Sequence, residues 1–160
     1  MPAKYKYRIK ALKKLKKEWY IGILMVSFLT GILPSASPQC SGFARALSKP
    51  ELSPYVHDGN FTATILGEGE TVILRKTIFQ GQKYRFVVKG IADLPPIHFR
   101  ILHDNQILFD NARYDYASKW DFTAEATRTI SIEVTVTEDD NSQTQKGGCV
   151  AILVGIDPNR

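Results

Sequence analysis

Cysteine and histidine are scarce in this chain of 160 residues, which contains two Cys and three His. The two Cys do not form a C-x-x-C pair and no His cluster accompanies them, so a zinc site has almost no support. A Gly-x-Ser-x-Gly nucleophile motif is also absent from the sequence. These absences favour a non-enzymatic protein that needs neither a metal ion nor another cofactor.

Positive charge is concentrated at the start of the chain. The first 18 residues carry eight Lys and Arg and one Glu, a net charge of +7, which leaves −2 for the rest of a chain whose total is +5. Attraction to phosphate groups dominates the affinity of proteins for nucleic acids. The later residues lack the net charge for that attraction, so the sequence predicts no nucleic-acid partner.

Only residues 19–33 form a long apolar run, and they follow the basic stretch directly. Small residues and prolines come next, and this order is typical of a secretory signal peptide. As a helix the run would span roughly 22 Å, against about 30 Å for a bilayer core. Residues 1–36 are therefore predicted to be either a cleaved signal peptide or a membrane anchor retained through residues 19–33. Both alternatives place the rest of the chain outside the cytoplasm, in the periplasm, at the outer surface or in the medium.

The two cysteines are Cys40 and Cys149. In an exported protein a disulfide between them is the favoured interpretation, because extracytoplasmic compartments are oxidising. Two alternatives remain open at the level of sequence. Cys40 could carry a lipid, which would prevent it from pairing, or both residues could be unpaired buried thiols.

The remaining sequence consists mostly of short stretches rich in β-branched and aromatic residues, separated by turn signals. Residues 129–137 alternate strictly between apolar and polar side chains, and residues 104–105 are typical of a two-residue hairpin turn. About eight strands are predicted: 61–66, 71–79, 83–90, 97–103, 106–109, 119–123, 129–137 and 149–156. The predicted fold class is all-β, an antiparallel β-sandwich of jelly-roll or immunoglobulin-like type over residues 60–160. An irregular segment over residues 37–59 and the N-terminal apolar helix precede this domain.

Three stretches resemble one known family. They are residues 81–86 (GQKYRF), the hairpin 99–109, and residues 120–127 leading into the strand after them. Together they resemble the bacterial pre-peptidase C-terminal domain, a family of small β-sandwiches appended to secreted enzymes. Arg128 and Gln106 stand where that family usually has Gly. The resemblance covers about half the chain, and it implies a β-sandwich and an extracytoplasmic location but no activity.

Aromatic residues are the strongest candidates for contact with a partner. Tyr114 and Tyr116 lie in a segment without apolar periodicity, so both are predicted to be exposed, and Trp120 follows them closely. Such side chains can anchor a protein partner or stack on sugar rings. Trp120 is also a candidate core residue, because it alternates with Phe122 on a predicted strand.

Histidine and acidic residues are weaker candidates. His98 and His103 are five residues apart on a predicted strand, which directs them to opposite faces, and His57 lies in a loop. Acidic clusters at residues 104–111 and 138–141 could supply oxygen ligands to Ca²⁺. Turn formation by Asp and Asn is the favoured explanation of both clusters, so no metal site is predicted.

The sequence thus predicts an exported, non-enzymatic β-sandwich module that binds a protein partner, as a subunit of a bacterial envelope assembly. The alternative is a carbohydrate-binding module of the envelope or the extracellular space. A sugar site should present exposed aromatic rings beside polar groups in a groove. A protein-binding surface should be flatter and more apolar.

Overall fold

The computed structural model describes residues 38–139 and 146–159. This part of the chain contains one α-helix, one short 3-10 helix and nine strands. The elements are α1 (Pro38–Leu52), β1 (Val56–His57), β2 (Thr62–Gly67), β3 (Thr71–Ile78), β4 (Lys83–Gly90), β5 (Ile97–His103), β6 (Gln106–Asp110), the 3-10 helix (Asn111–Tyr114), β7 (Lys119–Thr123), β8 (Arg128–Val136) and β9 (Gly147–Ile156). The predicted signal peptide or anchor, residues 1–36, lies outside the described residues.

Two antiparallel sheets form a β-sandwich. The first sheet has the order β1-β9-β4-β7, with β2 also paired to β9, and the second has the order β3-β8-β5-β6. Strands β2 to β9 pair from the outside inward, β2 with β9, β3 with β8, β4 with β7 and β5 with β6. This nested pairing over eight strands defines a jelly roll and not an immunoglobulin-like sandwich. The prediction of an antiparallel β-sandwich is confirmed, and the topology decides between its two types.

The main hydrophobic core fills the space between the sheets. Strand β8 shows its construction, because Ile130, Ile132, Val134 and Val136 are buried while the residues between them face outward. Side chains of β4, β5 and β9 complete the same core. Alternation between apolar and polar residues therefore gives β8 one buried and one solvated face.

A second, smaller core covers the outer face of the first sheet. Ala44 and Leu52 of α1 pack against Val87 of β4 and against Ala151 and Leu153 of β9. Strand β9 is thus buried on both faces, which explains why residues 149–156 are continuously apolar. The prediction that this run is a central strand is confirmed by its pairing with β1, β2 and β4.

Helix α1 differs from the irregular segment that the sequence predicts over residues 37–59. Gly42 and Pro50 lower the helix propensity of this stretch, and its apolar face is small. Packing on the outer face of the sheet stabilises the helix in spite of these residues, which is a case of tertiary contacts overriding local propensity. Strand β1 is the second element within this segment that the sequence does not predict.

A disulfide joins Cys40 in the first turn of α1 to Cys149 in β9. The predicted pairing is therefore present. A lipidated Cys40 would have no thiol left to form it, so the lipidated alternative and the unpaired alternative do not apply to this structure. Within residues 38–139 and 146–159, no helix has the length and apolar character needed to cross a membrane.

The hairpin between β5 and β6 follows its prediction. Asp104 and Asn105 both have positive φ, at 45° and 66°, as a two-residue hairpin turn of this type requires. Ile101 pairs with Phe109 and Leu102 with Ile107, so Leu108 is an extra residue that forms a β-bulge in β6 after the turn. The hairpin leads the chain to Asp110, where the segment that carries the candidate contact residues begins.

Candidate functional site

A groove lies beside β7, at one edge of the sandwich. Its volume is about 410 Å³. The residues that line it come from β4, β6, β7 and the segment before β7: Arg85, Phe109, Tyr114, Ala117, Lys119, Trp120 and Asp121. We refer to it as the β7 groove. Because Trp120 faces the core side of its strand while Lys119 and Asp121 face the outer side, the groove follows the strand edge itself.

An aromatic column forms the core-side wall of the β7 groove. Tyr114 stacks on Phe109, with ring centroids 5.4 Å apart, and Phe109 stacks on Trp120 at 4.8 Å. Trp120 in turn stacks on Phe122 at 4.8 Å and lies 5.9 Å from Phe86. The ring faces of Trp120 therefore contact other rings of the protein. Tyr114, which is 62% exposed, is the end of the column that solvent can reach.

Asn111 holds the segment that presents Tyr114. Its side chain is fully buried and accepts the backbone N–H of Phe99 at 2.8 Å. The Asn111 amide donates to the carbonyls of Ile97 at 2.9 Å and Ala117 at 3.2 Å. Two of these bonds tie the start of the 3-10 helix to β5, and the third ties it to the chain that follows the helix, so Tyr114 projects from a fixed backbone.

An arginine clamp forms the outer wall of the groove. Arg85 donates two hydrogen bonds to the Asp121 carboxylate, at 2.7 and 2.6 Å, and a third to the carbonyl of Ser53 at 2.7 Å. Its guanidinium also lies 4.4 Å above the centre of the Tyr55 ring. The Arg85 guanidinium holds the pKa of Asp121 below its usual range, so the clamp stays ionised at neutral pH. It joins β4, β7 and the end of α1, and it uses three of the five N–H donors of Arg85 within the protein.

A shared carboxylate lies beside the clamp. Glu51, near the end of α1, accepts hydrogen bonds from Lys119 at 2.7 Å and from Lys89 at 2.6 Å. Both ammonium groups lower the pKa of Glu51. One carboxylate thus serves two lysines, and this part of the outer wall keeps one unbalanced positive charge.

The structure brings two of the three predicted contact residues together. Tyr114 and Trp120 line the β7 groove and are connected through Phe109. Trp120 packs against the core, as its alternation with Phe122 predicts, while it also lines the groove. Tyr116 is 41% exposed, but its ring meets His98 edge-on at 6.3 Å and is not part of the groove lining.

Each of the three histidines has a polar partner within the protein. His98 lies 2.8 Å from the Asp110 carboxylate, and His103 lies 3.0 Å from the carbonyl of Thr129. His57 accepts the backbone N–H of Gly59 at 3.0 Å, beside a cavity of about 280 Å³ near the end of α1. Within the described residues, no group of three or more His, Cys, Asp or Glu side chains is arranged to hold a metal ion. The second acidic cluster, residues 138–141, lies partly outside those residues.

Three parts of the site do not follow from the sequence: Phe109, Arg85 and Asn111. Phe109 and Arg85 reach the groove only because the strands pair as they do, which a single sequence does not reveal. Asn111 follows Asp110 in an acidic cluster that turn formation alone would explain. Its burial requires three specific partners, and those are visible only in three dimensions.

Comparisons with known proteins add only distant likenesses. No protein-family model matches the chain, and no curated protein matches it significantly. Among solved structures, the chain is similar to Aeromonas hydrophila PliG, a periplasmic lysozyme inhibitor of g-type lysozyme, at 12% identity and a TM-score of 0.48, over 65% of this chain and 89% of that chain. It is similar to Salmonella Typhimurium PliG at 10% identity and a TM-score of 0.42, over 61% of this chain and 89% of that one. A de novo designed double-stranded β-helix follows at 9% identity and a TM-score of 0.32, over 61% and 99%. At these values the likenesses carry no inference about function.

Proposed function

We propose that this chain is an exported, non-enzymatic β-sandwich module that binds another protein of the bacterial envelope. The observation that carries the proposal is the placement of Tyr114, which is 62% exposed, stacked on Phe109 and located at the rim of the β7 groove. Tyrosine is enriched among the residues that dominate binding energy in protein interfaces. A ring held by a stacked neighbour and a fixed backbone loses little conformational freedom on binding.

The disulfide between Cys40 and Cys149 supports a location outside the cytoplasm, since such bonds persist in oxidising compartments. The predicted signal or anchor in residues 1–36 agrees with that location. The tether through residues 19–33 and the resemblance to the pre-peptidase C-terminal family stay predictions.

The carbohydrate-binding alternative has less support from the groove. A sugar platform requires a broad ring face open to solvent. The Trp120 ring is stacked within the column, and three of the five N–H donors of Arg85 are already bonded to Asp121 and Ser53. Among the aromatic residues that line the groove, Tyr114 alone is largely exposed, and a single ring fits insertion into a partner's pocket better than stacking along a glycan.

Photo-crosslinking in the native host tests the proposal. A photoreactive benzoylphenylalanine replaces Tyr114, where it keeps an aromatic ring at the same place. The matched control carries the same residue at Ile73, which is 57% exposed on β3 of the other sheet. We expect a discrete protein adduct from position 114 and none of the same mass from position 73.

Peptide sequencing of the adduct then identifies the class of partner. Peptides from one other protein support the proposal. Monomer alone at position 114 overturns it, as does an identical adduct pattern at both positions. Adducts that carry glycan without a second peptide would establish the carbohydrate-binding alternative.

A further inference from the structure

We propose that β7 accepts an extended segment of the partner protein as an added strand, with an apolar side chain against the aromatic column and an acidic side chain beside Lys119. This inference rests on the proposed function and specifies how the partner is held. It combines three features of the β7 edge. These are backbone groups that β4 does not pair, an aromatic wall on the core side with a charged wall on the outer side, and an excess of positive charge.

The backbone of β7 offers hydrogen-bonding groups on its outer side. In the ladder with β4, the N–H of Val88 donates to the carbonyl of Ser118 at 2.9 Å, and the N–H of Ala124 donates to the carbonyl of Gln82 at 3.0 Å. Hydrogen-bonded pairs alternate along an antiparallel ladder. Three residues of β7 therefore direct their N–H and C=O groups away from β4: Lys119, Asp121 and Thr123. Among the described strands, β7 pairs only with β4.

The two walls of the β7 groove match the alternation of a bound strand. Trp120, Phe109 and Tyr114 lie on the core side of the edge, and the ion pair of Arg85 and Asp121 lies on the outer side. Successive side chains of an added strand point to opposite faces. One face of that strand would thus meet aromatic rings and the other would meet charged groups. In strand addition the contacts of alternate side chains provide the specificity, and the main-chain hydrogen bonds provide the affinity.

The positive charge on the outer wall favours an acidic side chain on the outer face of the added strand. Arg85 and Asp121 neutralise each other, whereas Glu51 is shared between Lys119 and Lys89. Both lysine side chains remain 44% exposed. A carboxylate of the partner would complete the second lysine pair, so an acidic residue on the outer face of the added strand is the complementary choice.

The test removes one outward N–H of β7 without removing a ladder bond. Thr123→Pro does so, since Thr123 is the last residue of β7 and proline is tolerated on edge strands where the N–H faces solvent. Thr123→Ala is the matched control, because it loses the same exposed side chain and keeps the N–H. Both variants are read by the adduct from benzoylphenylalanine at position 114, with folding checked by circular dichroism and thermal melting.

We expect Thr123→Ala to retain the adduct and Thr123→Pro to lose it by about tenfold, the effect of one missing hydrogen bond with its partner left unpaired. The sequenced partner peptide should contain alternating apolar and acidic residues. If both variants crosslink equally, strand addition is overturned while the proposed function stands. If the protein with benzoylphenylalanine at position 114 and an unchanged Thr123 gives no adduct, the proposed function itself fails.

Two further outcomes are decisive. An adduct composed of two copies of this chain overturns the proposal, because the occupant would then be a second copy. If Thr123→Pro does not fold, Lys119→Pro is compared with Lys119→Ala, since Lys119 is the first residue of β7 and both changes remove the same ammonium group. A weaker adduct in the proline variant than in the alanine variant supports strand addition, and equal adducts overturn it.

Discussion

Glu51 is the residue that connects helix α1 to the edge of the first sheet. Its carboxylate, 15% exposed, bridges Lys89 of β4 and Lys119 of β7. The apolar contact of the helix consists of the buried Ala44 and Leu52, with the partly buried Phe43 and Leu47 packed beside them. The ion pairs add to this contact and help to hold the end of α1 beside the β7 groove, where Ser53 accepts a hydrogen bond from Arg85.

Replacing Glu51 with Gln should make this contribution visible as a pH dependence. The pKa of Glu51 is lowered by Lys119 and Lys89 in the folded protein, so its stabilising effect is present above the unfolded-state value and is lost as the pH falls through the folded-state value. We expect Glu51→Gln to lower the free energy of unfolding at pH 7 by about 1 kcal/mol, as partly exposed ion pairs do. Urea unfolding at a series of pH values measures the difference.

The wild type and Glu51→Gln should converge at strongly acidic pH, where the wild-type carboxyl is protonated. The control is Glu125→Gln, which removes a carboxylate in the exposed loop before β8 and should leave the free energy of unfolding within about 0.5 kcal/mol at every pH. A constant gap between the wild type and Glu51→Gln at all pH values would show that the ion pairs are not its cause.

At the scale of elements, the junction of α1 and β1 packs against β9 at a glycine. A Cβ atom at Gly155 would lie 2.8 Å from Cβ of Tyr55 and 3.1 Å from Cδ2 of Leu52. Such an atom would force Tyr55 to shift and would require the Leu52 side chain to move by a few tenths of an ångström. The Tyr55 ring lies under the Arg85 guanidinium. The close contact between Gly155 and Tyr55 therefore also helps to position Arg85 in the outer wall of the groove.

Gly155→Ala should therefore destabilise the protein by about 1 to 3 kcal/mol, the usual cost of overpacking. Gly147→Ala is the control at the other end of the same strand, since its Cβ would find no atom closer than 3.6 Å. Chemical denaturation of both variants gives the comparison. Equal effects of the two substitutions would show that the contact with Tyr55 and Leu52 is not the determining feature.

The elements also differ in how far a single sequence can predict them. Strands such as β8 were predictable because their alternation records burial directly, and the turn at Asp104 and Asn105 because its backbone conformation favours those residue types. Helix α1 was not, because its burial depends on Val87 and Leu153, which lie on a sheet face known only after folding. The exposure of Tyr114 could be inferred from its neighbours in sequence, whereas the position of Arg85 in the groove follows from strand register alone.

At the scale of the whole molecule, the disulfide closes the chain into a loop that includes all the sandwich strands before β9. Cys40 and Cys149 are separated by 109 residues. In the chain-entropy account, a crosslink stabilises a protein by restricting its unfolded state, and the effect increases with the length of the closed loop. The bond also fastens the first turn of α1 to β9, at the opposite end of the helix from Glu51.

Removing this crosslink should destabilise the protein more than the substitutions at Glu51 or Gly155. For the double substitution Cys40→Ala and Cys149→Ala, we expect the free energy of unfolding to fall by about 3 to 5 kcal/mol. Urea unfolding of the oxidised wild type, the reduced wild type and the double variant measures the effect, and intact mass reports the two hydrogens gained on reduction. The reduced wild type and the double variant should unfold at similar urea concentrations, below that of the oxidised protein. If reduction leaves the unfolding midpoint unchanged, the link between α1 and β9 does not stabilise the sandwich, and packing and ion pairs alone hold the helix.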